Sequence, residues 1–268
     1  MKKIFPRLWL IFVFAFLYAP IIILTVYSFT KSTMIGRIRS FSLQNYITLF
    51  TTEELIQMIL GTILLALVVS VISTVLGSAG AMGVYYGKKK NKKILEFFNQ
   101  IPVVNADVVT GFSVCILLIV FFKVPKDSFV PLVIGLCSLC TPFVYLSVMP
   151  RLLSMDPHLY EAALDLGAGP WVALRKVVLK EIMPGVISGF LTSITLTVDD
   201  YFITTYTKPA AFDTISTYVV NATKGAQTQI KTALWALSAV IFLLVVFVVL
   251  VGWFKTVRPQ QEREEYED

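Results

Sequence analysis

The sequence predicts an all-α, polytopic membrane protein. Six spanning helices are joined by polar turns and by one larger structured loop. Three observations predict this. The 268 residues are 56% hydrophobic and only 15% charged. Soluble domains carry about 25% charged residues, so the surplus apolar surface has lipid to face. Six apolar segments reach the roughly 20 residues that cross a bilayer. These runs are continuously apolar rather than alternating, which argues against a barrel of strands.

The first span is Leu8–Phe29. Met1-Lys2-Lys3 ahead of it has the look of a signal peptide. The apolar run is about 22 residues, however, and no small-residue cleavage site follows, so an uncleaved helix is expected. The outer loop Thr30–Glu54 mixes Ser, Thr, Arg and aromatics and has room for a short interfacial helix. The second span, Leu55–Tyr86, carries Gly77, Gly80 and Gly83, with Gly87 just beyond. Small residues let helices approach closely in lipid, and Gly83 with Gly87 forms a small-x-x-x-small pair.

The third span is Pro102–Phe122 and the fourth is Phe129–Met149, with a brief turn, Lys123–Ser128, between them. A loop of about residues 151–185 follows. The fifth span is Val186–Tyr206 and the sixth Thr232–Phe254, separated by Lys208–Lys231. Residues 256–268 are polar and acidic and are expected to be disordered.

Lys and Arg set the orientation. Fifteen fall at the N-terminus, in Lys88–Lys93, in the 151–185 loop and after Phe254; eight fall in the opposite loops. The richer side is read as cytoplasmic, with both termini inside. Basic residues in short runs between spans fit membrane orientation, not nucleic-acid binding. Cys137 and Cys140 have a C-x-x-C spacing inside an apolar span, where packing is the expected role. With one histidine, His158, no metal site is expected. Gly83-Val-Tyr-Tyr-Gly87-Lys88-Lys89 has the wrong gap for a phosphate loop. No catalytic constellation is read, and the chain is not expected to hydrolyse ATP.

The 151–185 loop carries its own helical signals. Asp156 is placed to cap a helix, and Pro157 suits its first turn. Leu159, Ala162, Ala163 and Leu166 recur at i, i+3, i+4 and i+7. Gly167 is a plausible stop. Trp171, Leu174, Val177 and Val178 suggest a second amphipathic helix, ended by Pro184. Periodicity alone is equally compatible with a loop lying on the membrane surface.

Glu161-Ala162-Ala163, Gly167, Val177 and Leu179 resemble the "EAA" loop of ABC-importer permeases. That pattern is Glu-Ala-Ala, three residues, Gly, nine residues, an aliphatic, one residue, then Leu-Pro. Val177 takes the usual isoleucine position, and Lys180 replaces the proline. The wider sequence is similar to the C-type permeases of spermidine/putrescine ABC importers. Leu17-Tyr18-Ala19-Pro20, Leu174-Arg175-Lys176-Val177, Met183-Pro184 and Leu196-Thr197-Val198-Asp199-Asp200 carry that likeness.

The resemblance implies a type I ABC importer permease fold, with one permease domain over residues 1–255 in a bacterial cytoplasmic (inner) membrane. It implies a homologous permease as pore partner, two copies of an ABC ATPase and an outside polyamine-binding protein. Glu161, Ala162, Ala163, Asp165, Leu166 and Gly167 would couple to the ATPase. That partner would use ATP and Mg; no cofactor is expected on this chain.

Three carboxylates fall at depth: Asp107 in the third span, Asp199 and Asp200 in the fifth. Ionisable groups there are costly and face a cavity or a partner. Several carboxylates suit a flexible polycation and repel sulfate or molybdate. Adjacent aspartates on a helix point about 100° apart, so one is free to cap a helix break or meet a partner subunit. Asp107 is equally able to satisfy nearby backbone. Tyr201 and Phe202 offer cation–π contacts or ordinary packing. Thr192, Ser193, Thr195, Thr197, Thr204 and Thr205 are candidates to keep the fifth helix hydrated. Ferric iron, sulfate or a sugar remain alternative substrates on the same scaffold. An ion-coupled secondary carrier is the competing class, and it leaves the docking loop without a purpose.

Overall fold

The computed structural model describes residues 4–31, 40–87, 89–224 and 232–243. Helices follow in the order α1 (Ile4–Ser28), α2 (Gln44–Thr51), α3 (Glu53–Tyr86), α4 (Lys89–Val104), α5 (Asp107–Phe121), α6 (Val130–Ser154), α7 (His158–Asp165), α8 (Pro170–Glu181), α9 (Met183–Asp199), α10 (Phe202–Thr207), α11 (Ile215–Lys224) and α12 (Thr232–Leu243). The last part of α5 and the middle of α8 wind as π-helix. Among the described residues there is no strand, only one antiparallel bridge between Thr30 and Phe41.

The chain divides into two units, Met1–Ile56 with Val219–Asp268, and Gln57–Tyr218. In the first, the Tyr27 ring meets the edge of Trp235 at 5.9 Å. The outer loop does contain a short helix, α2. Asn45 fixes it by donating from Nδ2 to the carbonyls of Ser28 at 2.9 Å and Thr30 at 3.1 Å. Those carbonyls follow the end of α1, where backbone acceptors lack helical partners.

The second unit is built on α3, α6 and α9. One buried cluster joins Leu65 and Val69 of α3 to Leu132, Leu136 and Leu139 of α6 and to Ile203 of α10. Another joins Ala81 and Val84 to Val144, Val148 and Leu152, and then to Val178 and Ile182. Cys137 and Cys140 pack inside the first cluster as free thiols, with Cys140 Sγ 3.5 Å from Thr197 Oγ1.

Length and apolarity qualify α1, α3 and α6 as spans, and α8 with α9 as a further span bent by 70°. Two expected spans are not continuous. The third breaks at Asn105–Ala106, where Ala106 is extended (ψ 135°) and α5 restarts at Asp107. Pro102 belongs to α4 instead. The fifth stops at Asp199 and restarts at Phe202. The expected stop at Pro184 is also displaced. The helix runs through Lys180 to Glu181, and Pro184 falls in the first turn of α9. A proline there gives up an N–H that has no helical acceptor anyway. The second half of the sixth span and the 256–268 tail lie outside the described residues.

Close helix approach occurs at only some of the glycines that the sequence offers. A Cβ at Gly77 would lie 2.7 Å from Val144 Cβ and 2.9 Å from the Thr141 carbonyl oxygen. Gly80 and Gly83 have nothing within 4 Å, and Gly87 meets only the end of its own helix. Among the described residues, the Gly83–Gly87 pair therefore packs no second helix. Gly77→Val should lower the thermal stability of the purified protein, by about 1–3 kcal/mol as overpacked cores do. Gly83→Ala should leave it unchanged or slightly raised. Equal melting temperatures for the two variants would contradict the packing described.

Candidate functional site

Two features stand out, a projecting helix at α7 and a pair of helix breaks. At α7 the local chemistry closes both ends. Asp156 Oδ1 accepts the His158 N–H at 2.9 Å, and the Asp156 carbonyl accepts from Leu159 at 3.2 Å. At the other end Gly167 adopts φ +84°. Its N–H reaches the Leu164 carbonyl at 2.9 Å, and the Ala168 N–H reaches Ala163 at 3.0 Å. This double closure is the Schellman motif, which needs a residue able to sit in the left-handed region.

The face that holds α7 down only partly overlaps the apolar stripe. Tyr160, Ala163 and Leu164 are half-buried, and the Tyr160 ring lies 5.1 Å from that of Tyr86. Leu159 and Ala162 are exposed, and Leu166 is 90% exposed. On α8, Ala173 and Val178 are buried, while Trp171 is 74% exposed. Glu161 and Asp165 are exposed, with Glu161 3.7 Å from His158 Nδ1. The expected apolar stripe is thus left largely unpacked. Exposed apolar side chains rimmed by carboxylates mark a surface for a partner, whether a protein or the membrane.

The second feature brings the two broken spans together. Gly111 of α5 faces Ile203 of α10, where an added Cβ would stand 2.8 Å from the Ile203 Cα. Gly135 of α6 meets the same isoleucine, at 2.8 Å from its Cγ2. Phe112 and Tyr206 rings meet at 5.8 Å. The break itself is held by Asp200, which is 8% exposed. Its carboxylate accepts from the N–H of Thr204 at 2.8 Å, from the Thr204 hydroxyl at 2.8 Å and from the N–H of Ile203 at 3.4 Å. These are the N–H groups that a new helix leaves without partners. At the other break, Asn105 Nδ2 donates to Thr110 Oγ1 at 2.9 Å.

The remaining predicted residues surround this centre. Asp107 opens α5, the helix whose Gly111 packs on Ile203. Its side chain is exposed in the first turn of α5. Asp199 is exposed at the last residue of α9, and its carbonyl accepts from Ser216 Oγ at 3.2 Å. A carboxylate at a helix C-terminus sits against the negative end of the macrodipole, so a cation nearby would relieve it. Tyr201 is half-buried, Phe202 is 45% exposed, and their rings meet at 5.3 Å. No salt bridge to Asp107, Asp199 or Asp200 is present among the described residues.

Several threonine hydroxyls of this segment bond back to its own backbone. Thr192, Thr195, Thr197 and Thr205 donate to the carbonyl four residues earlier, at 2.6–3.1 Å. Sequence reasoning missed Gly111, Gly135 and Tyr160, and it named Thr204 for hydration rather than as the partner of Asp200. An aspartate just ahead of a short helical run was the available signal for the cap.

Residues 73–259, more than half of the chain, match the family described as "Binding-protein-dependent transport system inner membrane component". The chain belongs to this family. It is 29% identical over 249 residues to the spermidine/putrescine transport system permease protein PotC of Haemophilus influenzae, covering 92% of this chain and 95% of that one. It is 27% identical over 256 residues to the putrescine transport system permease protein PotI of Escherichia coli K12, covering 93% and 90%. Among solved structures, a bacterial alginate ABC transporter in complex with an alginate pentasaccharide-bound periplasmic protein superposes with a TM-score of 0.71. That match has 18% identity and covers 92% of each chain.

The fold is that of type I ABC importer permeases, and the chain is a multi-pass membrane permease subunit rather than an enzyme. As a component of a binding-protein-dependent transport system, it works with a binding protein on another chain. Asp200→Ala should lower thermal stability by about 1–3 kcal/mol, the cost of stranding buried donors. Asp199→Asn and Asp107→Asn should leave the melting temperature of the purified protein unchanged. A stable Asp200→Ala protein would remove the capping assignment.

Proposed function

We propose that this chain is the permease subunit of an ATP-driven importer for polyamines of the spermidine and putrescine class. The observation that carries the reading is the pair of helix breaks, which gathers carboxylates and aromatic rings with no ion pair to a basic residue among the described residues. It is supported by the likeness to PotC and PotI over nine-tenths of the chain. A polyamine bears ammonium groups several carbons apart and must shed water on entry. Asp107 and Asp199 would replace part of that hydration, and the faces of Tyr201 and Phe202 would attract the cation. Asp200 is occupied by its cap and acts by shaping the break. The path holds substrate weakly, because tight neutralisation would trap it.

In the assembled importer this chain pairs with a homologous permease. Two ATPase copies bind the α7 loops through Glu161, Ala162, Ala163, Asp165, Leu166 and Gly167. ATP and Mg belong to the ATPase, and a polyamine-binding protein delivers substrate from outside. Both termini and the Lys88–Lys93 run are cytoplasmic. Asp199 then stands roughly 25 Å from the cytoplasmic bend, at 1.5 Å per residue along α9, in the outer part of the bilayer.

The test is uptake of radiolabelled spermidine and putrescine into proteoliposomes containing the full complex with its binding protein. At least one of Asp107→Asn and Asp199→Asn should slow uptake tenfold or more, about 1.4 kcal/mol, without loss of assembly. Parental rates in both, or a parent that carries ferric iron, sulfate or a sugar instead, would end the polyamine reading. Glu161→Lys should weaken co-purification of the ATPase and lower uptake while leaving membrane insertion intact. Uptake that needs no ATPase would favour an ion-coupled carrier.

A further inference from the structure

A cleft of about 710 Å³ opens between α3, α4 and α6. Its wall is mainly apolar, with Ile72 and Leu76 from α3, Leu95 from α4, and Val133 and Ile134 from α6. Ile72, Leu76, Leu95 and Ile134 also expose apolar surface at its rim. Ser138, Thr141 and Tyr145 of α6 bring hydroxyls to this wall, and α4 brings one amide. Asn99 Nδ2 is buried there and, among the described residues, has no hydrogen-bond partner. An unmade bond at a buried donor is costly, so the occupant should bring an acceptor as well as hydrocarbon.

The α4 residues that line the cleft are Leu95, Asn99 and Pro102, at i, i+4 and i+7. Lys92 precedes Leu95 by three residues and Asn99 by seven, so it extends the same helical stripe. It is half-buried. Around it the sequence places Lys88, Lys89, Lys90 and Lys93 against the single acidic residue Glu96. Read along α4, the stripe passes from a basic end, through one amide donor, into an apolar cleft.

We propose that this cleft binds one anionic diacyl phospholipid. The phosphate lies at Lys92, an ester carbonyl accepts from Asn99 Nδ2, and an acyl chain fills the apolar part. Lys92 and Asn99 are seven residues apart, roughly 10 Å of helix, which matches the order of groups from phosphate to ester to chain. At about 30 Å³ per methylene, close to the volume share of a water, a chain of about sixteen carbons takes roughly 500 Å³ and fits.

A packed protein helix suits the site less well, because its carbonyls are already bonded within the helix and would leave Asn99 unpaired. Basic residues at the cytoplasmic end of a span attract anionic headgroups. Val84 and Tyr145 line the cleft and also belong to the buried cluster on which α7 rests. A bound lipid would therefore brace the docking platform.

The importer complex should be purified, stripped of lipid and titrated with palmitoyl-oleoyl phosphatidylglycerol or phosphatidylcholine. Native mass spectrometry then counts bound lipid and reports assembly in the same spectrum. Phosphatidylglycerol should occupy one site at least tenfold more tightly than phosphatidylcholine. Lys92→Gln should remove that preference, and Ile134→Trp, which fills the cleft, should lower binding of both lipids. Equal affinities for the two lipids would overturn the proposal, as would an unchanged preference in Lys92→Gln. So would efficient cross-linking of a cysteine at position 134 to the partner permease in the intact complex, which would assign the cleft to protein.

Discussion

Inside a bilayer every backbone N–H and C=O must find its partner within the protein. That constraint organises this chain more than any single packing contact. Unbroken helices meet it by themselves, and α3 and α6 do so over most of their length. The informative places are where the helix stops. At Asp200 a carboxylate takes the two freed N–H groups of α10 and the Thr204 hydroxyl. Outside the spans, Gly167 performs the opposite operation, closing the carbonyl end of α7 through a left-handed turn. In both cases one residue type permits a break that the surroundings then hold.

Lipid also removes the usual reason for helices to associate, since tails are as apolar as leucine. What remains is close contact. Gly77 admits Val144, and Gly111 and Gly135 admit Ile203 from two sides. The second pair matters most, because it fixes the helix just beyond the Asp200 cap. In this arrangement the break is held by close packing, and the neighbouring Asp107, Asp199, Tyr201 and Phe202 take their positions from it.

Much of the fold was legible in the sequence. Continuous apolar runs specified helices, the Asp156-Pro157 start and the Gly167 stop marked α7, and the cysteines packed as an apolar span demands. The breaks were not legible, because a span interrupted by two residues has nearly the same apolar profile as a continuous one. Asp200 illustrates the difficulty within the site. A capping aspartate and a substrate-facing aspartate are the same letter, and only the positions of the Thr204 and Ile203 donors distinguish them. The packed face of α7 was not legible for a related reason. Leu159, Ala162 and Leu166 have the period of a buried stripe, but an apolar stripe is also what a helix needs when its partner is another chain. Tyr160, which anchors α7, has an amphipathic side chain that periodicity does not count as core.

The placement of α7 bears on how ATP hydrolysis on another chain reaches a path inside the membrane. Tyr160 packs on the cluster that contains Val178 and Ile182. Ile182 is the single residue between α8 and α9, at the 70° bend. From there α9 runs without interruption to Asp199. In the proposed importer, a displacement of α7 by a docked ATPase would meet a packed cluster and then one stiff helix that ends at Asp199, next to Asp200. Tight interiors switch between discrete arrangements instead of deforming smoothly. The element best placed to have two arrangements is the Asp199–Tyr201 break, where the backbone is held by side-chain bonds rather than by a helical ladder. A substrate-lining segment built on a break can change its geometry while the helices on either side move as rigid bodies.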